Sequence, residues 1–412
     1  MLSPQRIYIL GGYQSDFSRN WARDGQPLYD GFATTVQQGL QATGLDAADI
    51  QVGHVGNFVA PLFTGQAHLG GFFGHIDPAL HYLPASSHEA ACASGSMAML
   101  AAMADISAGY YDLACVLGVE QMRNVAAEKS SENLRAAAWV GQEWQHTPYV
   151  WPCAFDNLLD EYDQRYGVNA EHLQAISKKN FANARNNPNA QTRNWTLDEN
   201  SFSNDDEANP VISGRIRRYD CGQISDGAAV VFLASESRAR QYAKSHNVDL
   251  QQIPYIKSFA HVGAPMLWQE KLRLSAGQDY IFPHLQGLFK QALSDADFES
   301  VASLDGLEVH DCFSITEYML LDHSGWYPPG QAWQAIEAGD TEAGGKLPIN
   351  SSGGLLGLGH PVGATGVRMV LDAYKQSCGI AGDYQIEGAN NLMTVNLGGS
   401  ATTCASFIIG RD

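Results

Sequence analysis

The two ends of this 412-residue chain are weak copies of one another, and that repeat limits its fold more than any single segment does. RIYILGG near the start resembles YIKSFAHVG in the second half, and VGHVGNF resembles GLEVHDCF. The small-residue stretch after Cys92 resembles the one opening at GHPVGATG, and DLACVLGVEQ resembles NLMTVNLGGS. The matches run in the same order, so each half should bring equivalent strand ends to one central place. A duplicated fold with a single site between the halves follows.

Within each half, short β runs alternate with amphipathic helical stretches, which predicts a layered α/β sheet. Strands are expected over 6–10, 52–59, 112–118, 228–234, 255–259, 306–310, 392–397 and 402–409. Helices are expected over 32–40 and 95–109, and from the turn at His360 to about residue 376. Between 121 and 209 the sequence turns polar, Asn-rich and Trp-bearing, as in QEWQHTPYVWP and KKNFANARNNPNAQTRNW. The expected division is an N-terminal core (1–120 and 210–250), an inserted loop domain (121–209) and a C-terminal core (251–412).

Charge narrows the partners. With 25 Lys and Arg against 44 Asp and Glu, the net charge is −19, and the average field repels polyanions and anionic membranes. Nucleic acid is excluded on this ground, and a phosphate-bearing substrate would need a local basic patch. No apolar run approaches the roughly 20 residues needed to cross a bilayer. The opening MLSPQRIYILGG has no basic region or cleavage site, so a cytoplasmic location is expected. Cysteines at 92, 115, 153, 221, 312, 378 and 404 show no CxxC spacing, which argues against a disulfide framework and a structural zinc. Cys115 and Cys404 sit in apolar runs as small hydrophobes.

Four motifs carry chemistry. In HEAACASGSMAML, Cys92 precedes a helix of small residues, where free amides and the helix dipole favour a thiolate with a pKa lowered from about 8.5 into the range of roughly 3.5 to 7.5. A buried structural cysteine is the competing explanation. In GGLLGLGHPVGATG, His360 occupies a tight turn; beside a cysteine it could take the thiol proton, or it could be merely structural. In LEVHDCFSITEYMLL, His310 could hold a substrate oxygen and Cys312 could serve a carbon acid as acid or base. Zinc is the other chemical reading of HDC, but paired ligand spacing is missing. In VNLGGSATTCASF, Gly398 could turn a backbone N–H towards an acyl oxygen, although a bulge explains the glycines equally well.

Taken in order, CASG, HDCF, GGLLGLGHPVGATG and NLGGSAT resemble the thiolases, and HDCF resembles the sterol carrier protein type. Other thiolases place asparagine where His310 stands and keep a second cysteine near the C-terminus, where this chain has Asn396. The resemblance covers nearly the whole chain and is weakest at HVGAPMLWQEKLRL. It implies a five-layered αβαβα fold and acyl transfer through a thioester on Cys92. His360 would activate that cysteine and line an oxyanion hole, Cys312 would be the acid/base, and His310 would help bind the second thioester's oxygen through a water. The N–H groups of Cys92 and Gly398 would form another oxyanion hole.

Coenzyme A is the implied thiol carrier, a substrate rather than a bound cofactor, and no metal is expected. Its phosphates would be met by Lys178, Lys179, Arg185 and Arg193, with Arg215, Arg217 and Arg218. The resemblance also implies a homodimer or tetramer and leaves room for a small accessory protein. Cys312 argues against a ketoacyl synthase, and Cys92 against an aldolase-like relative that has lost its nucleophile. A thiolase-derived acyltransferase or hydrolase acting on a non-thioester acceptor stays open. A catalytically idle scaffold fits poorly with four intact motifs.

Overall fold

A computed structural model describes residues 6–412, so the first five residues of the expected N-terminal core and of the opening segment lie outside the described residues. Eleven strands are present among the described residues. They are β1 (Ile7–Gln14), β2 (Val52–Gly56), β3 (Ala85–His88), β4 (Leu113–Glu120), β5 (Val211–Ser213), β6 (Ile216–Arg217), β7 (Gly227–Ser235), β8 (Tyr255–Gly263), β9 (Gly306–Val309), β10 (Leu392–Gly398) and β11 (Thr403–Gly410). All but the β5–β6 hairpin join one sheet in the order β3-β2-β4-β7-β1-β8-β11-β10-β9.

About the β1–β8 contact, where Ile7 faces Ile256 and Tyr8 faces Tyr255, the two sides of the sheet repeat one another, with β3 alone lacking a counterpart. Moving outward, β1, β7 and β4 pair antiparallel and β4 pairs parallel with β2. On the other side β8, β11 and β10 pair antiparallel and β10 pairs parallel with β9. The strands that correspond are the ones carrying the matched sequence segments. The repeat is therefore the fold's own symmetry.

The helices are α1 (Leu28–Thr43), α2 (Ala60–Thr64), α3 (Ser94–Ser107), α4 (Ala127–Leu134), α5 (Val150–Tyr166), α6 (Ala170–Arg185) and α7 (Glu236–His246), followed by α8 (Trp268–Leu274), α9 (Pro283–Asp295), α10 (Ser314–His323), α11 (Trp333–Glu337) and α12 (Thr365–Cys378). Strand alternation distributes the core. Leu113, Cys115, Leu117 and Val119 of β4 point to a layer with α1 and α7, while Ala114 and Val116 point to one shared by α3 and α12. In the second half, Met393, Val395 and Leu397 pack on α9 and α10, and Phe407 and Ile409 meet the α3–α12 layer. This yields five layers with α3 and α12 in the middle. Each fully buried aliphatic or aromatic side chain stabilises the stack by about 1.5–3 kcal/mol. Cys115 and Cys404 are fully buried within it.

Helices α3 and α12 meet almost backbone to backbone at their N-termini. A Cβ on Gly95 would lie 2.8 Å from Gly363 O and 2.9 Å from the Val367 nitrogen, and one on Gly366 would overlap Ser96. Only glycine permits that approach.

Residues 121–209 contain α4, α5 and α6, and the β5–β6 hairpin follows. They share a core with the second half of the chain. Phe155, Leu158, Tyr162, Ile176 and Phe181 join the cluster that holds Ile315, Tyr318 and Met319 of α10. Strand β2 stops at Gly56 instead of reaching 59, because the N–H groups of Phe58 and Val59 turn to the Glu120 carboxylate. Among the described residues no helix is long and apolar enough to cross a membrane.

Candidate active site

Cys92 sits on a short turn, Ala91–Ala93, between β3 and α3. Ala91 is held at φ 51°, a left-handed conformation that costs a non-glycine residue on the order of 1 kcal/mol. The surroundings enforce it. Ser94 Oγ accepts from the Ala90 N–H at 2.9 Å and donates to Ala91 O at 2.6 Å, while Glu89 accepts the Ala91 N–H at 2.7 Å. The thiol is thereby aimed at His360, whose Nε2 lies 3.4 Å from Cys92 Sγ.

His360 arrives from the other half on a turn whose Gly359 adopts φ 117°. Its backbone N–H donates to Ser225 Oγ at 2.9 Å. On the ring, Nδ1 lies 2.7 Å from Thr365 Oγ1, and Thr365 in turn donates to Pro361 O at 3.1 Å. A carbonyl can only accept, so the hydroxyl proton points away from the ring and Nδ1 carries the ring proton. The lone pair on Nε2 then faces the sulfur.

His310 follows directly on β9 and has the opposite tautomer. Its Nδ1 accepts from Asn396 Nδ2 at 3.0 Å, and Asn396 Oδ1 accepts from Ser96 Oγ at 2.8 Å. The proton therefore resides on Nε2, free to donate. The two rings meet edge to face at 5.3 Å between centroids. Cys92, His310 and His360 offer ligand atoms within 4.8 Å of one another, a spacing that a metal could use. The wiring at His310 opposes it: a metal on Nε2 needs Nδ1–H facing an acceptor, and here Nδ1 faces a donor.

Cys312 follows, buried, with Sγ 3.7 Å from Thr316 Oγ1 and its carbonyl accepting the Gly222 N–H at 2.7 Å. Between His310 and Cys312, the Asp311 carboxylate accepts from the N–H groups of Leu355 (2.6 Å) and Leu356 (3.2 Å) and from Asn180 Nδ2 (2.8 Å). It fastens the HDC turn to the segment leading into His360. Glu120 does the same across the halves, accepting from Asn57 Nδ2, Phe58, Val59 and Gly363.

The electrostatics correct one expectation. Cys92 keeps part of its surface open, yet burial of the thiol pushes it up to about 12, with Glu120 and Glu89 adding to the rise. Its own N–H and that of Gly399 pull the other way and lose. Cys92 rests as a thiol and not as the thiolate that the helix N-terminus suggested. Burial likewise pulls His360 down to about 3, with Arg368 adding to the effect, and takes His310 well below its ordinary value. Burial raises Cys312 well above the usual thiol range, with nearby Cys92 next in importance. All four groups rest neutral.

Of the two glycines, Gly399 turns its amide to the Cys92 sulfur, while Gly398 ends β10 opposite Thr403. A second correction concerns the basic patch, which loses Lys179. Lys179 is buried and ion-paired with Glu317, with a further bond to Ile349 O at 3.0 Å, so it cannot meet a solvent phosphate. Arg193 grips both oxygens of Asp16, Arg215 faces Asp160 and Asp163, and Arg217 faces Asp206. Lys178 and Arg185 are exposed on α6. Arg218 alone of the group lines a cavity of about 390 Å³, together with Arg23 and Arg123, which the sequence reading passed over. Gly222, bonded to the Cys312 carbonyl, also lines this cavity. Another cavity, of about 610 Å³, is lined by none of Cys92, His310, Cys312 and His360.

Residues 22–237 match the family model "Thiolase, N-terminal domain", and residues 269–411 match "Thiolase C-terminal domain-like". The chain belongs to the thiolase family. Among thiolase relatives, the acetyl-CoA acetyltransferase of Methanothermobacter thermautotrophicus is 31% identical over 407 residues, covering 98% of this chain and 99% of its own. Sterol carrier protein 2 of Gallus gallus is 27% identical, covering 98% of this chain and 72% of its own. Of solved structures, the Ltp2-ChsH2(DUF35) aldolase superposes with a TM-score of 0.78 at 19% identity, over 100% of this chain and 99% of that one. Human mitochondrial 3-ketoacyl-CoA thiolase does so at 0.69 and 15%, over 99% of each chain. These two likenesses show the thiolase fold, and the acetyltransferase relatives support acyl transfer of the thiolase type.

Proposed function

We propose that this protein moves acyl groups between thiols, carrying each as a thioester on Cys92 and making or breaking a carbon–carbon bond beside it. In the degradative direction the substrate is a 3-ketoacyl thioester of coenzyme A. Cys92 Sγ attacks the keto carbon as His360 Nε2 takes the thiol proton. The C2–C3 bond breaks, and its electron pair leaves as the enolate of an acetyl or propionyl thioester. Cys312 gives that carbon a proton, and the departing thioester oxygen is stabilised by the His310 Nε2–H. An incoming coenzyme A then gives its thiol proton to the Cys312 thiolate and takes the acyl group from Cys92, whose sulfur recovers its proton from His360. Synthesis reverses these steps, with Cys312 removing the α-proton of an acetyl thioester.

The observation that carries this reading is the opposite wiring of the two histidines. Thr365 leaves His360 with a lone pair towards the nucleophile, and Asn396 leaves His310 with a proton to donate. One ring accepts a proton while the other stabilises developing negative charge, which is the division that carbon–carbon cleavage of a thioester needs. The amides of Cys92 and Gly399 serve the acyl oxygen on the sulfur.

Coenzyme A enters through the cavity bordered by Arg23, Arg123 and Arg218, whose guanidinium groups supply the local positive charge that a chain of net charge −19 otherwise lacks. Two of the solved neighbours are complexes with this compound, which supports the assignment. A homodimer or tetramer belongs to the same reading, as does a small accessory protein, since the aldolase neighbour pairs Ltp2 with ChsH2(DUF35).

Mixing the protein with acetyl- or acetoacetyl-coenzyme A and weighing it intact tests the proposal. An acyl adduct that vanishes in Cys92→Ala is expected. No adduct on the wild type, or one that survives the substitution, overturns it.

A further inference from the structure

The turn that delivers the Gly399 amide is gripped from behind by side chains the reaction does not touch. It joins β10 to β11 and closes with the Thr402 N–H donating to Gly398 O at 2.9 Å. Gly399 takes φ 61° and Ala401 φ 59°, so a non-glycine residue is held left-handed inside it. Such a turn needs outside support to stay in one shape. His284 Nε2 supplies some, 2.9 Å from Ala401 O. Lys271 on α8 supplies the rest: its Nζ donates to Ser400 Oγ at 2.6 Å, to Thr402 Oγ1 at 2.8 Å and to Met266 O at 3.2 Å.

Lysines on a helix normally extend their ammonium group to water. This one is 3% exposed, and among the described residues no carboxylate lies within ion-pairing distance of it. Burial lowers it to about 8, which reflects the cost of keeping the charge there. All three of its protons are used, two of them on the hydroxyls that flank Ala401. Such a group is better explained by the geometry it fixes than by packing, which an apolar side chain would satisfy at less cost.

We propose that Lys271 is a positioning residue, clamping the 399–402 turn so that the Gly399 N–H stays aimed at the oxygen of an acyl group on Cys92. The inference rests on the thioester reading above. It also gives a role to HVGAPMLWQEKLRL, where the resemblance to thiolases is weakest.

The test compares two reactions of one sulfur. Acylation by acetyl-coenzyme A passes through an oxyanion, whereas alkylation by iodoacetamide does not. Lys271→Met should slow acylation of Cys92 at least about tenfold, as expected when an oxyanion donor loses its aim, while alkylation stays within about twofold. Ser400→Ala with Thr402→Val should give the same split and guards against a Lys271→Met chain that fails to fold; combining all three should add no further loss. Acylation at the wild-type rate in the variants overturns the clamp, and so does a parallel fall in both reactions, which marks a merely structural lysine. Wild-type protein that takes no acyl group overturns the thioester reading, and the clamp with it.

Discussion

Thr365 Oγ1 stands 2.7 Å from His360 Nδ1, and its own proton is committed to the Pro361 carbonyl, so one hydroxyl fixes which nitrogen of the histidine faces Cys92. Thr365→Val keeps the shape and removes the acceptor. Acylation of Cys92 should fall about tenfold or more, towards the lower end of what a misdirected general base costs, with a stability loss of about 1 kcal/mol for the hydrogen bond. Rapid-quench mass measurement gives the rate, and a wild-type rate would mean that the tautomer is set elsewhere.

Asn396→Asp addresses the other ring. A carboxylate can only accept, so His310 Nδ1 would take the proton and Nε2 would turn from donor to acceptor. Cys92 should still acylate, but exchange of the acetyl-coenzyme A α-protons with deuterated solvent should drop by two orders of magnitude or so. Retained exchange would remove His310 from enolate stabilisation.

The pH profile follows from burial. Since His360 lies near 3 and the Cys92 thiol near 12, the neutral pair persists between those limits. Lowering the pH through 6.5, where an exposed histidine would gain a proton and cease to act as a base, leaves this one neutral. Acylation should therefore stay flat from about pH 5 to 9 in the wild type. In His360→Ala it should climb about tenfold per pH unit, because the thiolate must then form unaided. A wild-type rate that halves near pH 6.5 would contradict the burial argument.

For Lys179 the expected phenotype is instability. Lys179→Met strands the Glu317 carboxylate, which is buried and otherwise bonded to Asn180 and Asn350. Urea unfolding should show a loss of about 3–5 kcal/mol. A loss under about 1 kcal/mol would mean that the buried pair is dispensable.

Phosphate recognition can be read from Arg23→Glu with Arg218→Glu. The apparent KM for coenzyme A should rise at least about tenfold at low salt, with the gap narrowing as ionic strength increases. Lys178→Glu, outside the cavity, serves as the control. An equal shift in both would return the phosphates to α6.

The layers and the repeat were legible because strand alternation and small-residue helices leave a local mark, as in β4 and β7. Strand β3 left none: Ala85–His88 is a short, largely exposed edge with no apolar period. The site divided in the same way. Cys92 and His360 announce themselves through their glycine-rich and small-residue settings. Thr365, Ser96 and Asn396 gain meaning only from contacts, and Ser96 meets Asn396 across 300 residues of chain. Lys178 and Lys179 are adjacent in sequence, yet one faces water and the other faces Glu317 from α10, 138 residues away. No local pattern separates them.

The glycines between α3 and α12 act as a spacer made of missing atoms. Cys92 and His360 each stand just ahead of one of these helices, so the 3.4 Å between sulfur and nitrogen is set by how closely two backbones can lie. A single methyl at Gly95 would crowd two backbone atoms of the facing segment and force the helix ends apart, without altering any side chain at the site. The fit between the halves thus rests on absent atoms, located where a list of reactive residues would not look.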